Sequence, residues 1–189
     1  MRWFWIFLIW CVVSSTAALA VPVNYALETE GSQVQFRVAF GSGEISGTMP
    51  VEAANLALDF DRASNSEVSV VLAANGARAN FPFATEALRG PSVLNTASHP
   101  SIRFQSTGFE AQGNRAEVAG LITIRGVTRP VVLNAEIFRE AGQGAGDRSR
   151  LLVRMSTAIA RSEFGADGWA SAVGDIVTIN ILARIRREE

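Results

Sequence analysis

Only a few residues in this chain have side chains suited to chemistry, and their spacing argues against most reactions. His99 is the single histidine in 189 residues. A Ser–His–Asp triad would need it as the base, yet it sits in Ser98-His99-Pro100 ahead of a strand pattern, and no G-x-S-x-G elbow occurs. It reads as a loop histidine bonded to main chain, and one histidine cannot supply a zinc site. Asp59 and Asp61 flank Phe60 and point the same way on a strand, whereas glycoside hydrolysis needs carboxylates facing each other across a cleft. They read as a solvated strand end. Asp167 and Asp175 lie beside glycines without a D-x-D-x-D-G loop, so they read as turn formers and not as calcium ligands. All 17 basic residues are arginine. The absence of lysine excludes Schiff-base chemistry, a P-loop lysine and a serine–lysine dyad. The expectation is a protein with no catalytic residue, no metal and no required cofactor.

The elements that would carry a binding site are strands. Apolar residues alternate in Val34/Phe36/Val38/Phe40, Leu56/Leu58/Phe60, Val68/Val70/Leu72 and Ile102/Phe104. The same period returns in Val118/Gly120/Ile122/Ile124, Val131/Leu133/Ala135/Ile137, Leu151/Val153/Met155 and Val177/Ile179/Ile181/Ala183/Ile185. A spacing of two puts each set on one face of a strand. Gly41-Ser42-Gly43, Asn75-Gly76, Gln112-Gly113-Asn114 and Gly174-Asp175 supply turn chemistry between them. The polar stretch Arg139–Arg150, with three glycines, predicts a mobile loop. Ala84–Arg89 alone reads as helix, after Pro82 and before Gly90-Pro91. Eight or nine antiparallel strands with one helical turn or two fit either a sandwich or a closed barrel. A barrel of these residues would enclose an apolar interior.

Residues 1–20 belong to a different category. Arg2, an apolar run from Trp3 to Val13 and the ending Ala18-Leu19-Ala20 describe a secretory signal peptide. Residues 21–189 then form one domain. An uncut leader would be long enough to span a bilayer, since no charge occurs between Arg2 and Glu28. Ser14-Ser15-Thr16 and Pro22 weaken that reading and favour cleavage. Cleavage removes Cys11, the only cysteine, so disulfides, thiolate metal sites and a cysteine nucleophile go with it. Without Arg2, 16 arginines face 18 carboxylates with no basic block, so nucleic acid is excluded as a partner. The expected location is the periplasm or the cell exterior.

Four stretches carry a resemblance to a known family. They are Leu121–Val131 (LITIRGVTRPV), Ala160–Gly165 (ARSEFG), Val173–Val177 (VGDIV), and Leu88–Pro91 (LRGP) followed by His99–Phe104 (HPSIRF). In this order they resemble the bacterial YceI-like family, periplasmic or secreted proteins also described as polyisoprenoid-binding or lipid-binding domains. The likeness runs from Tyr25 to Arg184. It implies an all-β, eight-stranded antiparallel, lipocalin-like barrel with the helical insertion beside its mouth. It also implies an apolar tunnel for a long isoprenoid chain or an isoprenoid quinone, and a frequent homodimer. Val93-Leu94 stands where many relatives carry an aromatic pair, and Ala84-Thr85-Glu86 where an Arg-Asp pair is common. If the first pair lines the mouth, the mouth is wider here or grips a different ligand.

The candidate lining residues are Phe36, Val38, Phe40, Phe104, Ile122, Ile124, Phe164 and Trp169. The same residues would also serve as a packed core. Burying a chain in such a tunnel gains about 0.8 kcal/mol per CH₂ before ordering costs, so tail length would set affinity. Arg125, Arg129 and Arg161 could donate to a quinone carbonyl or a diphosphate, or tie turns to carbonyls and carboxylates. Two functions follow: a non-enzymatic carrier or store for an isoprenoid amphiphile, with the membrane only as its source unless the leader is retained, or a secreted stress-response and interaction module. The second has a packed barrel that binds partners through loops such as Arg139–Arg150.

Overall fold

A computed structural model describes residues 21–140 and 142–189. The expected signal peptide, residues 1–20, lies outside the described residues.

Alternating apolar residues close the chain into an antiparallel barrel. Its strands are β1 (Val23–Phe40), β2 (Gly43–Met49), β3 (Val51–Leu58), β4 (Glu67–Ala73), β5 (Arg78–Ala79), β6 (Ser101–Gln112), β7 (Arg115–Ile124), β8 (Val127–Arg139), β9 (Arg150–Ala160) and β10 (Val173–Arg187). Eight of them, β1-β3-β4-β6-β7-β8-β9-β10, form a ring that the β10–β1 ladder shuts. β2 and β5 are additional. β2 and β3 are one run interrupted by Pro50, which lacks the N–H a ladder needs. β2 pairs with the second half of β1, and β3 with Val23–Tyr25 at its start. Closure leaves most strand edges paired, and one long element, β1, carries much of it.

The strand assignments from periodicity match the ring. The helix α1 runs Pro82–Arg89, two residues earlier than the pattern predicts because Pro is well placed in a first helical turn. β8 ends at Arg139 and β9 begins at Arg150, the ends of the predicted loop. Gly174-Asp175, expected as a turn, lies inside β10 instead. A Cβ on Gly174 would come 3.2 Å from that of Ala39, so the glycine serves a close approach between strands.

The β7–β8 turn is a two-residue hairpin, with Arg125 (φ 52°) and Gly126 (φ 76°) both left-handed, as a type I′ turn requires. An arginine is costly there, but its guanidinium donates to Pro91 O (2.7 Å) and Val93 O (2.6 Å). These bonds tie the turn to the segment that follows α1.

The helical insertion sits at one end of the barrel. Arg89 donates through Nε (2.9 Å) and Nη2 (2.7 Å) to Ala77 O, and Leu94 joins a core of Met49, Ala74, Ala77, Ile102, Ile122, Ile124, Val131 and Phe164. That core fills the barrel where β6, β8 and β10 begin. A second core, around Tyr25, Leu56, Leu151, Ala183 and Ile185, lines the opposite half and does not fill it.

Candidate functional site

The unfilled half encloses a cavity of about 230 Å³. Its wall is built from the inward faces of the ring strands, including Leu56, Val68, Phe104, Val118, Leu133, Met155 and Ile181. On β7 the lining runs from Arg115 to Ile122, roughly 24 Å of strand. The cavity is almost wholly apolar, and such a space excludes water and favours an apolar occupant. It is smaller than the roughly 300–1,000 Å³ of a drug-sized pocket, so it suits something narrow.

The cavity opens at the end away from α1. Its rim includes Phe60, Ala63 and Ser66 on the β3–β4 connection, and Ala111, Gly113 and Arg115 at the β6–β7 turn. The ladder between β4 and β6 stops at Ser69↔Gln105, and β6 is bulged between Ser106 and Gly108. The outer part of the β6–β7 hairpin therefore has no β4 partner, and the 3-10 turn Ala63–Asn65 of the β3–β4 connection packs against β6 in its place. The resemblance places the insertion beside the mouth; here it closes the opposite end. Leu94 is buried there and Val93 packs against the same core, so this pair does not line the opening.

Polar groups at the rim are largely committed. Asp59 is buried, and its carboxylate accepts from Asp61 N (2.9 Å), Arg62 N (2.8 Å) and Asn65 Nδ2 (2.9 Å). The Arg62 N–H above all holds the carboxyl below its ordinary range. The turn so fixed carries Phe60 edge-on to Tyr25, with centroids 5.9 Å apart at 81°. Arg148 stacks over the Phe60 ring at 5.0 Å and pairs with Asp61 at 3.2 Å. Tyr25 Oη donates to Arg148 O at 2.9 Å, and burial pushes the Tyr25 phenol up. Arg115, a second rim cation and itself a lining residue, lies 3.0 Å from Glu136 and is mostly exposed. Among the described residues no group of three His, Cys, Asp or Glu could hold a metal ion.

The eight candidate lining residues are dispersed. Phe104 and Ile122 are cross-strand partners and line the cavity. Ile124 and Phe164 lie in the core at the closed end. Val38 is buried, Phe36 and Phe40 half-buried, and none of the three lines the cavity. Phe36 packs onto Gly47, where a Cβ would collide with its ring. Trp169 is 64% exposed with φ 62°, on the connection beyond the closed end. Lining residues outside the eight, such as Leu56, Val68, Leu133 and Met155, carry the same period-two signal; their position toward the open end distinguishes them.

The arginines named as possible headgroup donors are mainly structural. Arg125 holds the carbonyls described above. Arg129 donates to Thr128 O at 3.2 Å. Arg161 is buried and donates to Gly174 O (2.8 Å), Gly168 O (2.8 Å), Val173 O (3.0 Å) and Ala166 O.

The profile of the YceI-like domain matches residues 25–185. The chain belongs to the YceI-like family. A UPF0312 protein of Yersinia pestis (strain Pestoides F) is 31% identical over 132 residues, spanning 68% of this chain and 67% of the relative. One from Pseudomonas aeruginosa (strain LESB58) is 29% identical over the same length, with 68% of each chain covered. The crystal structure of Burkholderia cenocepacia BcnA superposes with a TM-score of 0.74 at 17% identity, covering 84% of this chain and 99% of that one. A polyisoprenoid-binding domain from Saccharophagus degradans, described as implicated in plant cell wall breakdown, superposes with a TM-score of 0.62 at 13% identity. It covers 88% of this YceI-like chain and 99% of its own. At these identities the structural matches establish the shared barrel.

Proposed function

We propose that this YceI-like protein is a non-enzymatic binder of an isoprenoid amphiphile, which it stores or carries outside the cytoplasm. The observation that carries the reading is the dry, one-ended cavity: a narrow apolar space with its opening at a polar rim matches a molecule with a thin tail and a polar head. The tail enters between the β3–β4 connection and the β6–β7 hairpin and lies against Phe104, Val118, Ile122 and Met155. The head stays at the rim near Arg115, which lines the cavity at the β6–β7 turn. The ligand of the Saccharophagus degradans domain, a polyisoprenoid, has the required chemistry. Head groups based on isoprenoid quinones fit the same rim through hydrogen bonds to Arg115. The extracytoplasmic location rests on the leader sequence, and the absence of a catalytic role on the poverty of reactive residues.

Isolation from the native cell envelope, followed by solvent extraction and mass spectrometry, tests the proposal. A stoichiometric isoprenoid lipid is the expected result. A protein that emerges empty and also fails to take up added polyisoprenoids would overturn it, and would favour the loop-binding module with a packed barrel. Trp169 is a poor reporter for such titrations because its ring faces solvent; a probe on the β6–β7 turn is the better choice.

A further inference from the structure

We infer that Phe164 is the stop that sets how long a chain the barrel accepts. The inference rests on the isoprenoid-binding reading above and goes beyond it by assigning a residue to chain-length selection. Three residues at the deep end of the cavity, Ile102, Ile122 and Val131, also belong to the core that contains Phe164. Phe164 thus shares a core with the cavity floor without itself lining the cavity. It is 2% exposed and the largest fully buried side chain among the described residues.

The wall beside this residue lacks a continuous ladder. The β8–β9 ladder extends only from Asn134↔Ser156 to Arg139↔Leu151, so Val127–Leu133 of β8 and Thr157–Ala160 of β9 do not pair with each other. Val131 and Thr157, on the two sides of this seam, both line the cavity. On its outer face β8 presents the exposed Val132. The turn that carries Phe164 packs against β8, which sets this residue in the core behind the unpaired stretch.

The stop is held rigidly. Phe164 ends a 3-10 turn, Arg161–Phe164, closed by left-handed Gly165 (φ 67°). Arg161 fixes the following loop by its four carbonyls, and Asp175 accepts from Ser162 N (2.9 Å) and Ser162 Oγ (2.8 Å). A ring fastened from both flanks cannot swing aside for a longer tail. A chain that reaches it must leave its surplus in water, and added methylenes then contribute nothing to binding.

The test uses the purified protein and all-trans prenols of increasing length, geraniol, farnesol, geranylgeraniol and solanesol, with bound prenol counted by native mass spectrometry. In the wild type, affinity rises with length and then stops rising. Phe164→Leu moves that break to a longer prenol, with the first length past the wild-type break bound at least about tenfold more tightly. Ile122→Phe raises the floor and moves the break to a shorter prenol, which keeps the test decisive if Phe164→Leu folds poorly. A break that stays put in a cooperatively folded Phe164→Leu, or in Ile122→Phe, would overturn the stop while leaving isoprenoid binding intact. A wild type that binds no prenol of any length would overturn the binding reading itself, and the stop with it.

Discussion

At the closed end of the barrel a buried guanidinium, Arg161, gathers four main-chain carbonyls around the turn that carries Phe164, and aliphatic side chains fill the space beneath α1. At the open end the ion pairs Arg115–Glu136 and Arg148–Asp61 are exposed to water, and the apolar walls enclose a void. The difference is one of where stability is placed. A buried, fully satisfied network specifies a single arrangement, whereas exposed pairs contribute little and permit local movement. One end is built to hold its shape and the other to admit something.

The largest expected effect comes from breaking the closed end. Arg161→Ala removes the guanidinium donor from one buried carbonyl, Ala166 O, and three part-buried ones, and each unsatisfied group costs about 1–3 kcal/mol less whatever water recovers. A loss of about 3 kcal/mol or more in urea unfolding is expected, with Arg161→Lys recovering only part because an ammonium lacks the planar fork. A loss below about 1 kcal/mol would show that the network is ornamental to stability.

Two glycines sharpen the contrast. A Cβ on Gly120 would lie 2.5 Å from Phe104 Cζ and 2.7 Å from Gln105 O, while one on Gly47 would collide with Phe36 and Arg78 O. Either alanine overpacks its site and should cost about 1–3 kcal/mol. Only Gly120→Ala displaces a cavity-lining ring, so it should weaken prenol binding about tenfold while Gly47→Ala leaves binding unchanged. Equal losses of binding would mean that the two halves are coupled.

These glycines also show what the sequence conceals. Period-two alternation made most of the ring legible, because each strand has one face inward. Gly47 and Gly120 occupy inward positions where an apolar side chain is expected, since an aromatic ring from the neighbouring strand fills their space. β2 was therefore unreadable. The first half of β1 was hidden by a different cause. The irregularity between Glu28 and Gln33 resets the phase, so that Leu27 and Val34 face the same way across an odd spacing. The candidate site was less legible than the fold. Ile122 and Ile124 are two residues apart on one strand face, yet one borders the cavity and the other lies in solid core. What separates them is where the connections pack, and alternation carries no record of that.

Acid should act on both ends. Asp59 at the open end and Asp175 at the closed end are held below their ordinary range by main-chain N–H groups, of Arg62 and Ser162 respectively. A depressed carboxyl stabilises the fold above its unfolded value, near pH 4, and that contribution is lost as pH falls through the lower folded value. Asp59→Asn and Asp175→Asn should each flatten the fall in urea midpoint between about pH 5 and pH 2. Unchanged pH profiles in both variants would mean that these hydrogen bonds do not persist in solution.

The smallest effect on stability, and the most informative about the opening, is expected from Arg148→Ala. The residue joins the β8–β9 loop to the β3–β4 connection through one exposed ion pair and one stacking contact with Phe60. Exposed pairs of this kind contribute about 1 kcal/mol or less, so the unfolding midpoint should barely move. The contact nevertheless bridges two segments at the rim, and its loss frees the turn that carries Phe60. Amide exchange should therefore quicken over Asp59–Ser66 and remain as slow as before over Ile102–Phe104, at the closed end. Uniformly faster exchange would mean that the rim and the floor open together, and the division of the barrel into a fixed end and an admitting end would fail.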